Sequence, residues 1–457
     1  MRANPTSTIA GLALLLSATA CSPSLPSSPT MTAPAASPPS ATFTTRVISP
    51  SVTPRVGTGP PPTPAATETS IAVRGPALPA DQSHFQDGED IQLTRIEMVS
   101  RTEGWGVAGA YVLKTLDGGQ TWHEVTPPMQ SINAATTEAF GAFLDPQNAW
   151  VVFGVDDPSS PYPGGIQIPR AATIWNTSDG GSTWSATEVI QEAYGDSMGA
   201  NFYAVDPTRI WVAFHGVYVG AGRHFTGSLL RTTNGGMNWE LSGDLTDYTG
   251  YFNDDHTGMV FADSDVGWLT WETTHAWGAS PPAYSVTDDG GASWEVRTLP
   301  PPADTPTLFE DYHYSEPYQP NLVSAQSIRL LVGSFEYDTW SEPDQSDARN
   351  SRNYLYATED GGEHWQMYAL PPNVLASEAK LIFFDGDTGM LLGREMYRTE
   401  DGGRSWDQVK TVFWDGQFSF VDSQYGWAVA RSSEALALVK TVDGGRSWAE
   451  LEPQVER

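Results

Sequence analysis

Five stretches of this 457-residue chain crowd acidic and aromatic side chains together: "DDPSSPYPGGIQIPRAA" (156–172), "HGVYVGAGRHFTG" (215–227), "WETTHAWGASPPAY" (271–284), "PPPADTPTLFEDYHYSEPYQPN" (300–321) and "EYDTWSEPDQSDARNSRN" (336–353). Carboxylates placed on either side of a glycosidic bond can work as acid and base or nucleophile. Aromatic rings beside them are suited to stack on sugars, peptide side chains or cations. The candidate ligand-binding residues are Trp271, Trp277, Asp311, Tyr312, Tyr314, Glu316, Tyr318, Glu336 and Trp340. The separation of two carboxylates is not readable from sequence, so no catalytic residue is assigned. Other chemistries find little support. His215, His224, His256, His275 and His313 are scattered, and no Ser/His/Asp arrangement, metal-ligand spacing or phosphate-binding glycine loop stands out. No metal and no cofactor is expected. "DGDTG" (Asp385, Asp387, Gly389) looks like the start of a calcium loop, but it aligns with "DSDVG" at 263 and reads as a turn.

What must position these stretches is a repeat. "KTLDGGQTW" (114) returns as "NTSDGGSTW" (176), "RTTNGGMNW" (231), "VTDDGGASW" (286), "ATEDGGEHW" (357), "RTEDGGRSW" (398) and "KTVDGGRSW" (440). Before each copy lies a strand, a tight polar turn and a second strand, as in "FADSDVGWLTW" (261) and "FVDSQYGWAVA" (420). Adding the strand that enters the threonine and the one that follows the tryptophan gives four strands per unit. Seven such units predict an all-β chain, a seven-bladed β-propeller of four-stranded antiparallel blades.

The nonapeptide has its own physical logic. Paired glycines supply positive φ in a short turn, and the preceding Asp117, Asp179, Asn234, Asp289, Asp360, Asp401 or Asp443 offers oxygens to nearby backbone N–H groups and hydroxyls. Asn234 keeps the acceptor and drops the charge, so charge is not the purpose. Trp122, Trp184, Trp239, Trp294, Trp365, Trp406 and Trp448 are expected to pack between neighbouring sheets.

This pattern resembles the Asp-box, or bacterial neuraminidase repeat, of sialidases and sortilin-type receptors, where it is a structural clip. Combined with the preceding "F-x-D-x-x-x-G-W-x-x-G" type stretch, it is most similar to the photosystem II assembly and stability factor family and its non-photosynthetic bacterial lipoprotein relatives. That resemblance implies a non-catalytic scaffold that holds membrane-protein intermediates from the extracytoplasmic side. It departs from the family in lacking a locatable arginine-bearing patch and in having longer loops. A sialidase would need three arginines around a carboxylate, a tyrosine nucleophile with its glutamate and an aspartate acid. The loops offer only Arg170, Arg223, Arg349 and Arg352, and "IQIPR" (166–170) carries its arginine on the wrong side of the expected signature.

Spacings between successive nonapeptide tryptophans are 62, 55, 55, 71, 41 and 42 residues, so blades 2 to 5 carry the insertions. In a four-stranded blade the one-to-two and three-to-four turns share one face of the disc. The two-to-three loops and blade links share the other. The long stretches therefore project opposite the clips, and long loops on a rigid scaffold are where binding resides.

The ends of the chain set its location. Residues 1–20, with "IAGLALLL" and then small residues, read as an export signal too short to span a bilayer, which needs about 20 apolar residues. "LSATAC" resembles a lipoprotein signal with Cys21, the sole cysteine, as the lipidation site, although Ala18 stands where leucine is usual. Residues 21–80 form a Pro/Ser/Thr-rich disordered tether and 81–457 the propeller. A net charge of −31 disfavours nucleic acid, and membrane association is expected through the anchor only. The expected protein is extracytoplasmic and lipid-anchored, or alternatively secreted. It binds a protein or glycan of the cell envelope through the loop face of blades 2–5, with a two-carboxylate glycoside hydrolase as the alternative.

Overall fold

A computed structural model describes residues 73–76 and 83–457, with 130–135, 157–165, 191–198, 216–217, 220–223, 226–227, 243–249, 252–257, 271, 274–280, 310–312, 337–350 and 434 excepted. The signal, Cys21 and the tether up to residue 72 lie outside the described residues. Among the described residues no helix is long and apolar enough to cross a membrane.

The fold is a seven-bladed β-propeller. Blade 1 shows the plan: Arg95–Met98, Gly104–Ala108, Tyr111–Thr115 and Thr121–Glu124 pair antiparallel in chain order, with the first strand innermost. Blade 7 repeats it with Asp415–Phe420, Gly426–Arg431, Leu436–Thr441 and Ala449–Leu451. Alternating residues of each strand face the two neighbouring blades. Ile96 and Met98 are buried, for example, while Arg95 and Glu97, which alternate with them, are not.

Each clip holds its own turn by the same bonds. Thr115 Oγ1 donates to Asp117 Oδ1 (3.0 Å) and accepts the Gly119 N–H (2.9 Å), while Thr121 donates its N–H to Oδ1 (3.0 Å) and its hydroxyl to Oδ2 (2.8 Å). Both glycines have positive φ in all seven copies, a region that costs other residues strain. The first glycine of every clip also donates its N–H to the one-to-two turn of its own blade, as Gly118 does to Thr102 O (2.7 Å) and Gly444 to Gln424 O (2.9 Å). Clips and one-to-two turns therefore share a face. Asp385 caps such a turn, accepting the N–H groups of Asp387 (2.9 Å) and Thr388 (2.6 Å).

The deepest locks are the second-strand tryptophans, Trp105, Trp150, Trp211, Trp268 and Trp427, all at most 2% exposed. Trp150 donates to Gly235 O (3.0 Å) and Trp211 to Gly290 O (2.9 Å), each the first clip glycine of the next blade. The clip tryptophans Trp122, Trp184 and Trp239 are buried, whereas Trp294, Trp365, Trp406 and Trp448 are only half-buried. The cations that open several clips are ties as well: Lys114 Nζ reaches Pro146 O (2.6 Å) and Arg398 reaches Ser423 O (3.1 Å), both in the following blade.

The ring closes without exchanging a strand within a blade. Gln417 of blade 7 accepts the Ile96 N–H (2.8 Å) and donates to Ile96 O (3.0 Å), and Ser419 Oγ accepts the Met98 N–H (2.8 Å). The chain end then crosses the seam, where Gln454–Val455 pairs parallel with Thr121–Trp122 as a fifth strand on blade 1. Residues Val73–Pro76 add a fifth strand to blade 2, in register Gly75 opposite Trp184.

Candidate functional site

The two-to-three connections of blades 2 to 5 begin at Asp156, His215, Thr270 and Glu336 and end at Ala171, Ser228, Ala283 and Ser351. Chain direction places all four at the end of the blade away from the clips. In blade 6 the same connection is only Gly393 and Arg394. Two short pairings tie the long connections locally: Tyr218–Val219 with His224–Phe225, and Gly250–Tyr251 with Glu272–Thr273.

Of the candidate ligand-binding residues, Trp271, Trp277, Asp311, Tyr312 and Trp340 lie outside the described residues. Tyr314 and Glu336 fall in paired strands, opposite Phe335 and His313. Glu316 and Tyr318 are corrected from loop positions to buried ones, 2% and 5% exposed. The reason is the ten-residue second strand of blade 5, Ser327–Glu336, which draws His313–Pro317 out of the blade link and into the sheet as an extra inner strand. Pro317 and Pro320, which lack N–H groups, bracket the break before Asn321–Ser324 resumes the pairing. Tyr318 Oη lies 3.5 Å from Glu316 Oε2, a tyrosine–glutamate pair, but the ring packs with Leu331, Leu355 and Leu391 in the core between blades 5 and 6. It presents no accessible nucleophile.

The structure adds residues that the loop reading missed. The first strands of the blades neighbour one another around the ring, and three charged side chains lie on two of them, Arg95 and Lys380 at the loop-side start and Glu97 one residue before the clip-side end. Solvent reaches Glu97 and Lys380, yet the enclosing ring strips enough water to matter. Desolvation pushes the Glu97 carboxyl above the usual range against the pull of Lys380 and Arg95, and pushes the Lys380 ammonium down against the pull of Glu97. Lys380 Nζ also donates to Phe418 O (3.0 Å). On the loop side Phe413, 88% exposed, projects from the link between blades 6 and 7. The available signal was a charge inside an otherwise apolar inner strand, as in "RIEM" and "KLIF".

On the clip face, ligand atoms of Asp360, Glu363 and His364 lie within 4.8 Å of one another, all exposed. Here His364 Nδ1, 2.7 Å from Asp360 Oδ2, takes the place that a serine or threonine hydroxyl fills in five other clips. The trio is explained by the clip.

No protein-family model matches this sequence, and no curated protein matches it. Among solved structures the chain is similar to YCF48 bound to D1 peptide, with 17% identity over 80% of this chain and 99% of that one and a TM-score of 0.46. It is similar to YCF48 from Cyanidioschyzon merolae (16%, 78% and 97%, TM-score 0.45) and to the polysaccharide lyase Uly1 (9%, 83% and 98%, TM-score 0.46).

Proposed function

We propose that this protein is a non-catalytic binding scaffold, lipid-anchored through Cys21 on the extracytoplasmic side, that engages a protein or glycan with the loop face of blades 2 to 5. One observation carries the reading. Blade 6 makes its two-to-three connection with two residues, so the ring does not need the long connections that blades 2 to 5 all send to one face. Surface built beyond what the fold requires, on a scaffold fixed by repeated ties, is the ordinary place for recognition. The test is capture from detergent-solubilised envelope, together with a glycan array, using the chain and a variant whose 337–350 connection is shortened to a tight turn. Specific capture that the shortened variant loses supports the reading, and equal capture by both overturns it.

A glycoside hydrolase has one observation in its favour, the raised proton affinity of Glu97, the property a general acid needs. Release of no reducing sugar from a broad polysaccharide panel removes it.

A further inference from the structure

The seam of the ring holds a cleft that neither the clips nor the long connections use. It measures ≈ 410 Å³ and lies between residues 90–93, which lead into blade 1, and the two outer strands of blade 7. That volume falls in the range of small-ligand and side-chain pockets. Its floor is apolar, with Ile91, Leu93 and Leu438 buried and Leu451 half-buried. Leu438 pairs directly with Leu451, so both point to the same side of blade 7, the side that packs toward Ile96 and Trp122 of blade 1. Its rim carries the exposed carboxylates of Asp90, Glu450 and Glu452, and no lysine or arginine lines it.

Beside the cleft runs a bare sheet edge. Ala449–Leu451 pairs with the third strand of blade 7 on one side, and among the described residues no strand pairs on the other. In blades 1 and 2 the chain itself fills the corresponding edge, with Gln454–Val455 and Val73–Pro76. After Leu451 the chain instead leaves blade 7 through Glu452 and Pro453, which line the cleft.

We propose that this edge and cleft dock an extended segment of a partner protein in which lysine or arginine alternates with aliphatic residues. The segment adds a strand to Ala449–Leu451, as chains commonly do at open sheet edges. Alternate side chains then face opposite sides of blade 7, so aliphatic ones turn toward blade 1 and cover Leu438 and Leu451, while basic ones turn to the other side, where Glu450 stands opposite Val439, and reach the rim at Glu452. Charge complementarity selects this occupant, because an acidic segment would bring like charges together over a low-dielectric floor. The site lies in a different sector from the loops of blades 2 to 5 and stands whether or not those loops bind.

The experiment is calorimetric titration of the full chain with an N-acetylated, amidated pentapeptide alternating leucine and arginine, against the same peptide with glutamate for arginine. The arginine peptide binds, added salt weakens it, and the exposed double substitution Glu450→Gln/Glu452→Gln lowers its affinity about tenfold while leaving the unfolding midpoint in place. Equal binding of the two peptides, no binding of either, or an unchanged affinity in the double variant overturns the proposal. Competition by arginine amide as effective as the pentapeptide also overturns it, showing a site for a small cation.

Discussion

Trp427 Nε1 donates to the carbonyl oxygen of Gly118 at 2.9 Å, joining residues 309 positions apart. This is the bond that Trp150 and Trp211 make to the next clip in the middle of the chain, so the seam is held by the same link as an ordinary blade boundary. Trp427→Phe removes the donor and is expected to cost about 1–2 kcal/mol. Trp427→Ala also empties a buried indole site and costs about 3–5 kcal/mol. Denaturant midpoints of the two variants check the ordering.

The clip carboxylate works through its oxygens. Asp117→Ala leaves the Thr121 N–H and both hydroxyl partners without their acceptor, an expected loss of about 1–3 kcal/mol. Asp117→Asn keeps one oxygen, as Asn234 does in blade 3, and should lose less than half as much. Equal losses in the two variants would show that charge, rather than acceptor geometry, matters.

Acid should loosen the clips in a defined window. Hydrogen bonds from Ser405, first its hydroxyl and then its N–H, hold the Asp401 carboxyl at about 2, and the His364 N–H and ring do the same for Asp360. Both lie below the ordinary 3.8, so their stabilising contribution is complete above that pH and is lost as pH falls through about 2. Tryptophan fluorescence followed from pH 5 to pH 2 should show declining stability only in the lower part. Asp401→Asn should flatten that decline.

Arg329 occupies the position that tryptophan holds in blades 1 to 4 and 7, only 3% exposed, with its guanidinium on Glu359 (2.6 Å) and Gly386 O (3.4 Å). Removing it in Arg329→Ala empties a buried side-chain site and leaves the Gly386 carbonyl without this donor, while the exposed Glu359 is re-solvated, so the expected cost is about 2–4 kcal/mol. Arg329→Trp restores the arrangement of the other blades and should be neutral or slightly stabilising. Thermal midpoints decide, and a tryptophan variant as weak as the alanine one would refute the equivalence.

The chain end is part of blade 1. Val455, 2% exposed, pairs with Trp122, so deleting residues 453–457 should cost about 1.5–3 kcal/mol for that side chain alone. Hydrogen exchange should quicken in Thr121–Glu124, and unchanged protection there would show that the fifth strand contributes nothing.

The sequence by itself determined the number of blades, the turn chemistry of each clip and the side from which the long connections leave. Those features are local: the bonds of a clip close within nine residues, and a strand's period and direction are set by its immediate neighbours. Tertiary structure alone decided the rest. Gln417 and Ile96 are 321 residues apart, and nothing near either one announces that they meet. The burial of Glu316 and Tyr318 depended on the length of a partner strand, and the raised proton affinity of Glu97 on desolvation by the closed ring, against the pull of a lysine five blades later in the chain. Local spacing cannot encode these relations, because closing the ring brings together groups whose separation along the chain is unrelated to their separation in space.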